Sequence, residues 1–450
     1  MKVHPGLLPF VLLAAVTITL AGDALSTKIL DNGLRVIVVE NHTVPLATIE
    51  VAIKNGSFTE TQETNGLTNL HAHMFFKANQ VFPTREACLE RVRELGIELG
   101  ILSREEWENF YLTLPADSLK PGLEFMRESI RYPLFLGEAL AREKQVILDE
   151  MDRAAANPSY HLANAVRTKL WGQNVSRKNY LGDRGVIRSA SLGQVRLIQE
   201  RYVIPNNAAL LVAGDVKPRE VFSLAEDLYG SWKTGPDPSK ADPVPPYIPL
   251  EVSVDTVVVQ PVNNAEIVMA WHGPSVMADV KGTFAADVFS FILNQRTSAL
   301  QKNLVDSGIA LDVDVLYFTQ KHIGPISISV TCRPQKFWEA YQALQDEIEK
   351  FDDTDYFTDE QLANAKTLLE VDAVFKGDKA SVLVHEVAFW WAVAGLDYYS
   401  DYLDNLRAVS RKDLLNYVHR YIISQPHVAA AMVNRSTRQQ LQVLEGRLAK

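Results

Sequence analysis

Residues 66–77 read GLTNLHAHMFFK: a glycine opens the stretch, apolar residues return at helical spacing, and two histidines sit among them. Taken as a helix at about 100° per residue, the stretch puts Asn69, Ala72 and His73 on one face. His71 then points roughly 200° away from His73, toward the side of Leu67, Met74 and Phe75. Two histidines so placed cannot chelate one metal ion from a regular helix. His71 reads as a packed or surface histidine. The stretch has the outline of a metal-site helix without its working residues.

Working outward, LRVIVVE (34–40) and ATIEVAIK (47–54) precede it and are strand-like, rich in β-branched residues. After it come a helical pattern over 85–95, short strand candidates over 97–102 and 109–114, and long helical patterns over 119–132 and 136–155. On the last of these, Glu143 and Glu150 lie two turns apart on one face, with Val146 and Ile147 between them, so that carboxylates on an inward stripe would need partners. ALLVAGDV (209–216) follows Pro205-Asn206-Asn207 and reads as a buried strand.

Residues 235–249 hold Pro236, Pro238, Pro243, Pro245, Pro246 and Pro249. Such a segment is stiff and extended, is not expected to join a core, and reads as an interdomain linker. The two sides of it resemble each other. Arg201-Tyr202-Val203-Ile204, with its following strand and helix, recurs as Arg420-Tyr421-Ile422-Ile423, the strand VAAAMVN (428–434) and a helix. The second half also opens with two strands, VDTVVVQ (254–260) and AEIVMAW (265–271), and a helix near 281–293. The expected class is therefore α+β: two homologous domains, each a mixed sheet with helices, joined by a Pro-rich linker. The boundaries read as 1–24 (signal peptide), 25–234, 235–250 (linker) and 251–450.

The chain has 450 residues, 47% hydrophobic and 22% charged, with a net charge of −10 and no Lys/Arg run, which argues against nucleic-acid binding. Lys2, an apolar run over 7–20, and the small residues Ala21, Gly22 and Ala24 form the pattern of a secretory signal. The run is shorter than the roughly 20 residues a spanning helix needs. The expectation is an exported protein, periplasmic or secreted, with no stable membrane span in its mature form. Cys88 and Cys332, the only cysteines, read as buried free thiols. Trp390 and Trp391 read as core, His272 as a strand end, and His161 as a loop histidine without a partner.

Together these pieces resemble the insulinase/pitrilysin family of inverted-zincin metallopeptidases and their processing-peptidase relatives. The family helix reads roughly G-L-A-H-F-L-E-H-M-x-F-K, where H-x-x-E-H supplies two zinc-ligand histidines and a general-base glutamate. Gly66, Leu67, His73, Met74, Phe76 and Lys77 match it, and the resemblance extends over nearly the whole chain. It implies that Asn69 stands at the first histidine position and Ala72 at the base position. It also implies that Glu150 stands at the third-ligand position, with Glu143 supporting it. A catalytic zinc needs about three protein ligands and an open position for water. The loss of the base alone is worth about 10²–10⁴-fold. In the second half, Val305 and Leu311 stand where the resemblance places a substrate-clamping arginine and tyrosine; Arg296 and Tyr317 are nearby but out of register.

The resemblance thus implies a chain that is not an enzyme by itself, with no catalytic residue and no metal or cofactor expected, zinc entering only if the degenerate site still binds. Its expected role is the non-catalytic subunit that pairs with a homologous active peptidase chain as a heterodimer, forming a chamber for peptides or unfolded polypeptide. The alternatives are a stand-alone peptide-binding or scaffolding protein of the cell envelope and, least favoured, an active zinc metalloendopeptidase.

Overall fold

The computed structural model describes residues 25–377 and 380–448; the expected export signal, 1–24, lies outside them. Two mixed sheets organise the chain. The first contains β1 (Leu25–Ile29), β2 (Arg35–Glu40), β3 (Leu46–Ile53), β4 (Glu98–Ser103), β5 (Glu108–Pro115) and β6 (Ala208–Gly214), in the order β1-β2-β6-β3-β5-β4. The second contains β7 (Val254–Val259), β8 (Ala265–His272), β9 (Asp312–Tyr317), β10 (Pro325–Cys332) and β11 (Val428–Val433), in the order β7-β11-β8-β10-β9. In each sheet the last strand in sequence is inserted between two earlier ones, parallel to one neighbour (β6 to β2, β11 to β7) and antiparallel to the other (β3, β8). Apart from β1, one topology is written twice. The α+β duplication expected from the sequence is what the chain adopts.

The inserted strands β6 and β11 are buried along their whole length, which explains why they are continuous apolar runs rather than alternating ones, whereas β10 alternates in sequence and in burial. One face of each sheet packs on helices of the same half: Val36, Ile49 and Leu210 meet Leu123, Met126 and Val221. The other face is covered by the opposite half. Four helices carry the argument: α1 (Leu67–His73), α2 (Gly137–Ala155), α3 (Pro158–Trp171) and α4 (Ala380–Val393). Helix α4, from the second half, lays Leu383, Val384, Val387 and Trp391 on Ile37, Val39 and Leu211 of the first sheet. Helix α3, from the first half, lays Leu162, Leu170 and Trp171 on Val268, Val428 and Ala430 of the second. Exchanging one helix each makes the halves mutually dependent, since exposing either face would return a full layer of apolar side chains to water.

The linker departs from expectation in two places: Pro238–Ala241 form a short helical turn with Pro238 buried, and Tyr247 joins a core. Most of 235–250 is exposed, yet Tyr247 is 6% exposed, its ring 4.9 Å from Trp171 and beneath the Arg177 guanidinium at 3.9 Å. Arg177 also donates to the Pro245 carbonyl at 2.8 Å. Tyr247 and the buried Pro238 pin a segment that is otherwise mostly in water. Cys88 and Cys332 are free and buried, and Trp390 and Trp391 are core residues.

Candidate functional site

Helix α1 starts where a side chain has no room. Gly66 has φ +100°, and a Cβ there would lie 2.7 Å from the Gly182 Cα. The exposed N–H groups of this first turn are met by Glu60, which accepts from Gly66 N and Thr68 N at 2.7 Å each and from Asn65 Nδ2 at 3.0 Å. Burial pushes the Glu60 carboxyl up to about 7, with those three hydrogen bonds opposing it. The helix was expected to run over 66–77 but ends at His73, because Phe76 takes the left-handed conformation at φ +55°. Past that turn Lys77 reaches Glu143, Nζ to Oε1 at 2.8 Å.

His73 stands between two carboxylates of α2. Its Nδ1 is 3.3 Å from Glu143 Oε2 and its Nε2 is 3.6 Å from Glu150 Oε2. Glu143 is 7% exposed; burial alone would raise its pKa, but His73 and Lys77 outweigh burial and hold it below the ordinary glutamate value. The inward stripe is narrower than the sequence pattern implied: Ile147 is fully buried, whereas Val146, expected on the same face, is 39% exposed.

Asn69, Ala72, His73 and Glu150 line one cavity of about 390 Å³, walled on another side by residues 101–104 of the edge strand β4 and its end. Asn69 is 8% exposed and its Nδ2 has no hydrogen-bond partner among the described residues. Zinc fits this set poorly. His73 and Glu150 are two strong donors where about three are needed, Glu143 is engaged by Lys77, and the remaining group is a neutral amide. Among the described residues no group of three or more His, Cys, Asp or Glu side chains is placed to hold a metal ion. At Ala72 there is no carboxylate to accept a proton from a water molecule.

His71 goes the other way, as the helical geometry required. It is fully buried, with ring contacts to Phe75 and Phe135, and its Nδ1 lies 3.6 Å from Glu108 Oε1, also fully buried. Its Nε2 is 3.0 Å from Gln199 Oε1, and Glu108 accepts from Asn55 Nδ2 at 2.7 Å. Sequence reading left His71 as a packed or surface histidine; the structure makes it packed, against a glutamate that lies far along the chain on β5.

The two second-half positions do not join the cavity lining. Val305 packs against the second core and Leu311 is 43% exposed. Tyr317 is held in the second core, its hydroxyl donating to the Pro274 carbonyl at 3.1 Å, and Arg296 is exposed. His161 is not a loop histidine without a partner: it lies on α3 and its Nε2 meets the Ala155 carbonyl at 2.7 Å. His272 does end β8, where its Nε2 reaches the Leu170 carbonyl at 2.9 Å and burial lowers its pKa to about 4.

Residues 35–183 match the family described as insulinase (peptidase family M16), and residues 189–369 match the domain described as the peptidase M16 inactive domain. An uncharacterized zinc protease of Rickettsia felis is 22% identical over 369 residues, 81% of this chain and 87% of that one. The probable mitochondrial-processing peptidase subunit beta of Arabidopsis thaliana is 23% identical over 228 residues, covering 51% of this chain and 43% of its own length. Among solved structures, a protease from Helicobacter pylori superposes with a TM-score of 0.80 at 18% identity, over 91% of this chain and 99% of that chain. The periplasmic protease PqqL of Escherichia coli gives 0.78 at 17%, over 93% of this chain but 48% of that one. At such identities the structural likeness speaks for the fold alone. No helix among the described residues is long and apolar enough to cross a membrane.

Proposed function

The chain belongs to the insulinase family of peptidases, peptidase family M16, and from that premise we propose that it is a member without catalytic activity of its own. In this reading Asn69, His73 and Glu150 are the vestiges of a zinc site, with Glu143 supporting, and Ala72 is the vacated base position. The observation that carries it is the cavity itself, where one histidine and one glutamate remain beside an amide and a methyl group. Two strong donors without a base supply neither the ligand count nor the proton acceptor that zinc-assisted hydrolysis needs.

The role that follows is the non-catalytic subunit of a heterodimer, a chamber wall and peptide surface for a homologous chain with an intact H-x-x-E-H. The processing-peptidase relative supports pairing, because it is a subunit beta, one chain of an enzyme with more than one. Export to the periplasm or outside the cell accompanies this reading, on the N-terminal pattern and the periplasmic neighbour. A second reading, a stand-alone peptide-binding protein, is favoured by the open edge of β4 beside the cavity, since an exposed sheet edge can take an extended peptide as an added strand. The test is purification of the tagged chain under native conditions with mass spectrometry of what accompanies it. Stoichiometric recovery of a homologous chain carrying H-x-x-E-H is the expected outcome. Recovery of the chain alone, or only with copies of itself, would overturn the subunit reading and leave the peptide-binding one.

A further inference from the structure

Three cations without partners gather where the two halves of the chain touch. Arg35 opens β2 and Lys54 directly follows β3. Arg35 lies opposite Ala209, and Ala209 opposite Ala52, so Arg35, Ala52 and Lys54 share the sheet face that α4 covers. The third cation, Lys321, comes from the other half, in the loop before β10. Glu106 holds that loop against the first half, accepting from Lys321 N at 2.6 Å and from His322 N at 3.1 Å. The Lys54 ammonium stands over the Trp391 ring of α4 at 4.5 Å. All three cations are half-buried, and among the described residues none of their side chains makes a hydrogen bond or an ion pair.

The repulsion within the cluster shows on Lys54. Burial, and then the charges of Lys321 and Arg35, lower its pKa to about 8. Asp237 opposes them, but it is exposed, accepts from Ser239 N at 3.0 Å and faces Lys240 at 3.7 Å. The negative end of α4 is equivalent to about half a charge, too little to answer the cluster. The chain has a net charge of −10, so the missing counter-charge does not reflect a shortage of carboxylates. Half-buried cations left together and unanswered are costly, and these are placed to receive an anion from outside the chain.

We infer that Arg35, Lys54 and Lys321 form a site for a phosphate group, closed across the seam between the halves. A phosphate carries about two charges and three acceptor oxygens. The Arg35 fork matches two of those oxygens, and the lysines supply point charges. A carboxylate, with a single charge, would leave most of the cluster unanswered. The group is either free phosphate or the phosphate of a monoester, which present the same oxygens. The site shares no residue with the α1 cavity and stands whether or not the peptidase reading does.

Calorimetric titrations of the full chain with inorganic phosphate, glycerol phosphate and acetate separate these cases. They use the wild type, Lys54→Met, Arg35→Gln, Lys321→Met and, as a control for general charge, Arg142→Gln, an exposed arginine. At least one of the two phosphates should bind the wild type about tenfold tighter than acetate. Each cluster variant should weaken that binding about tenfold, the worth of one charge-assisted contact, and Arg142→Gln should change it by less than about twofold. Binding of both phosphates assigns the site to a monoester, and binding of inorganic phosphate alone assigns it to the free ion; either supports the inference. Thermal unfolding without added anion is the second readout: Lys321→Met should melt no lower than the wild type, because it relieves repulsion. A lower midpoint there would mean that the chain itself answers the cluster. That result, no binding of either phosphate, acetate as tight as phosphate, or equal losses in the cluster variants and Arg142→Gln would each overturn the site.

Discussion

His71 and His73 are two residues apart on α1 and live in different chemical worlds. His71 and its partner Glu108 are both fully buried, ringed by phenylalanines, and meet no solvent. His73 lies at a cavity, a fifth exposed, between Glu143 and Glu150, of which the second is a third exposed. The same residue type against the same partner type therefore does different work. On the inner face His71 meets Gln199 through Nε2 and Glu108 accepts from Asn55. The His71 Nδ1 and Glu108 Oε1 that face each other have no hydrogen-bond partner among the described residues, so their attraction across 3.6 Å is what offsets their burial. On the outer face the contacts tie a surface cavity together and contribute little to folding.

The comparison can be broken by removing one glutamate from each face. Glu108→Ala should have the larger effect. It strands Asn55 Nδ2 in a sealed site, takes the facing carboxylate away from His71 and leaves a void, a loss of about 3 kcal/mol or more in urea denaturation. Replacing His71 by leucine in the same chain should recover part of that loss, because an apolar pair has nothing left to satisfy. No change in the denaturation midpoint for Glu108→Ala would mean the inner pair is not what seals that face. Glu150→Ala, on the outer face, should cost less than about 1 kcal/mol, since a partly exposed contact at 3.6 Å is screened by water. A loss as large as that of Glu108→Ala would erase the distinction.

Much of the fold could be read from sequence because its signals are local. The apolar run ALLVAGDV marked a buried strand, β-branched runs such as LRVIVVE marked strands, and the Arg-Tyr endings of the two halves marked the repeat. What covered the second face of each sheet was not legible. Helices α3 and α4 are contributed across the molecule, and helical periodicity states that a face is apolar without saying what it meets. Tyr247 in a proline-rich linker was missed for the same reason: composition describes a segment, and one anchoring side chain is below its reach.

The site divides in the same way. Helical geometry alone separated His71 from His73 and aligned Asn69, Ala72 and His73, and these last three do share a cavity with Glu150. Lys77 was in view as a motif residue, but its engagement with Glu143 depends on the left-handed turn at Phe76, which phenylalanine does not announce.

The central claim is that two substitutions, at Asn69 and Ala72, separate this cavity from a working zinc site. Its most direct test is calorimetric titration of zinc into metal-stripped protein, wild type beside the double variant Asn69→His/Ala72→Glu. The wild-type chain should show no stoichiometric zinc uptake at concentrations that fill one site in the double variant. The two affinities should differ by more than the 10–100-fold that loss of an outer-shell partner typically costs. Stoichiometric zinc in the wild-type chain, or no gain in the double variant, would contradict it and place the metal-site positions elsewhere.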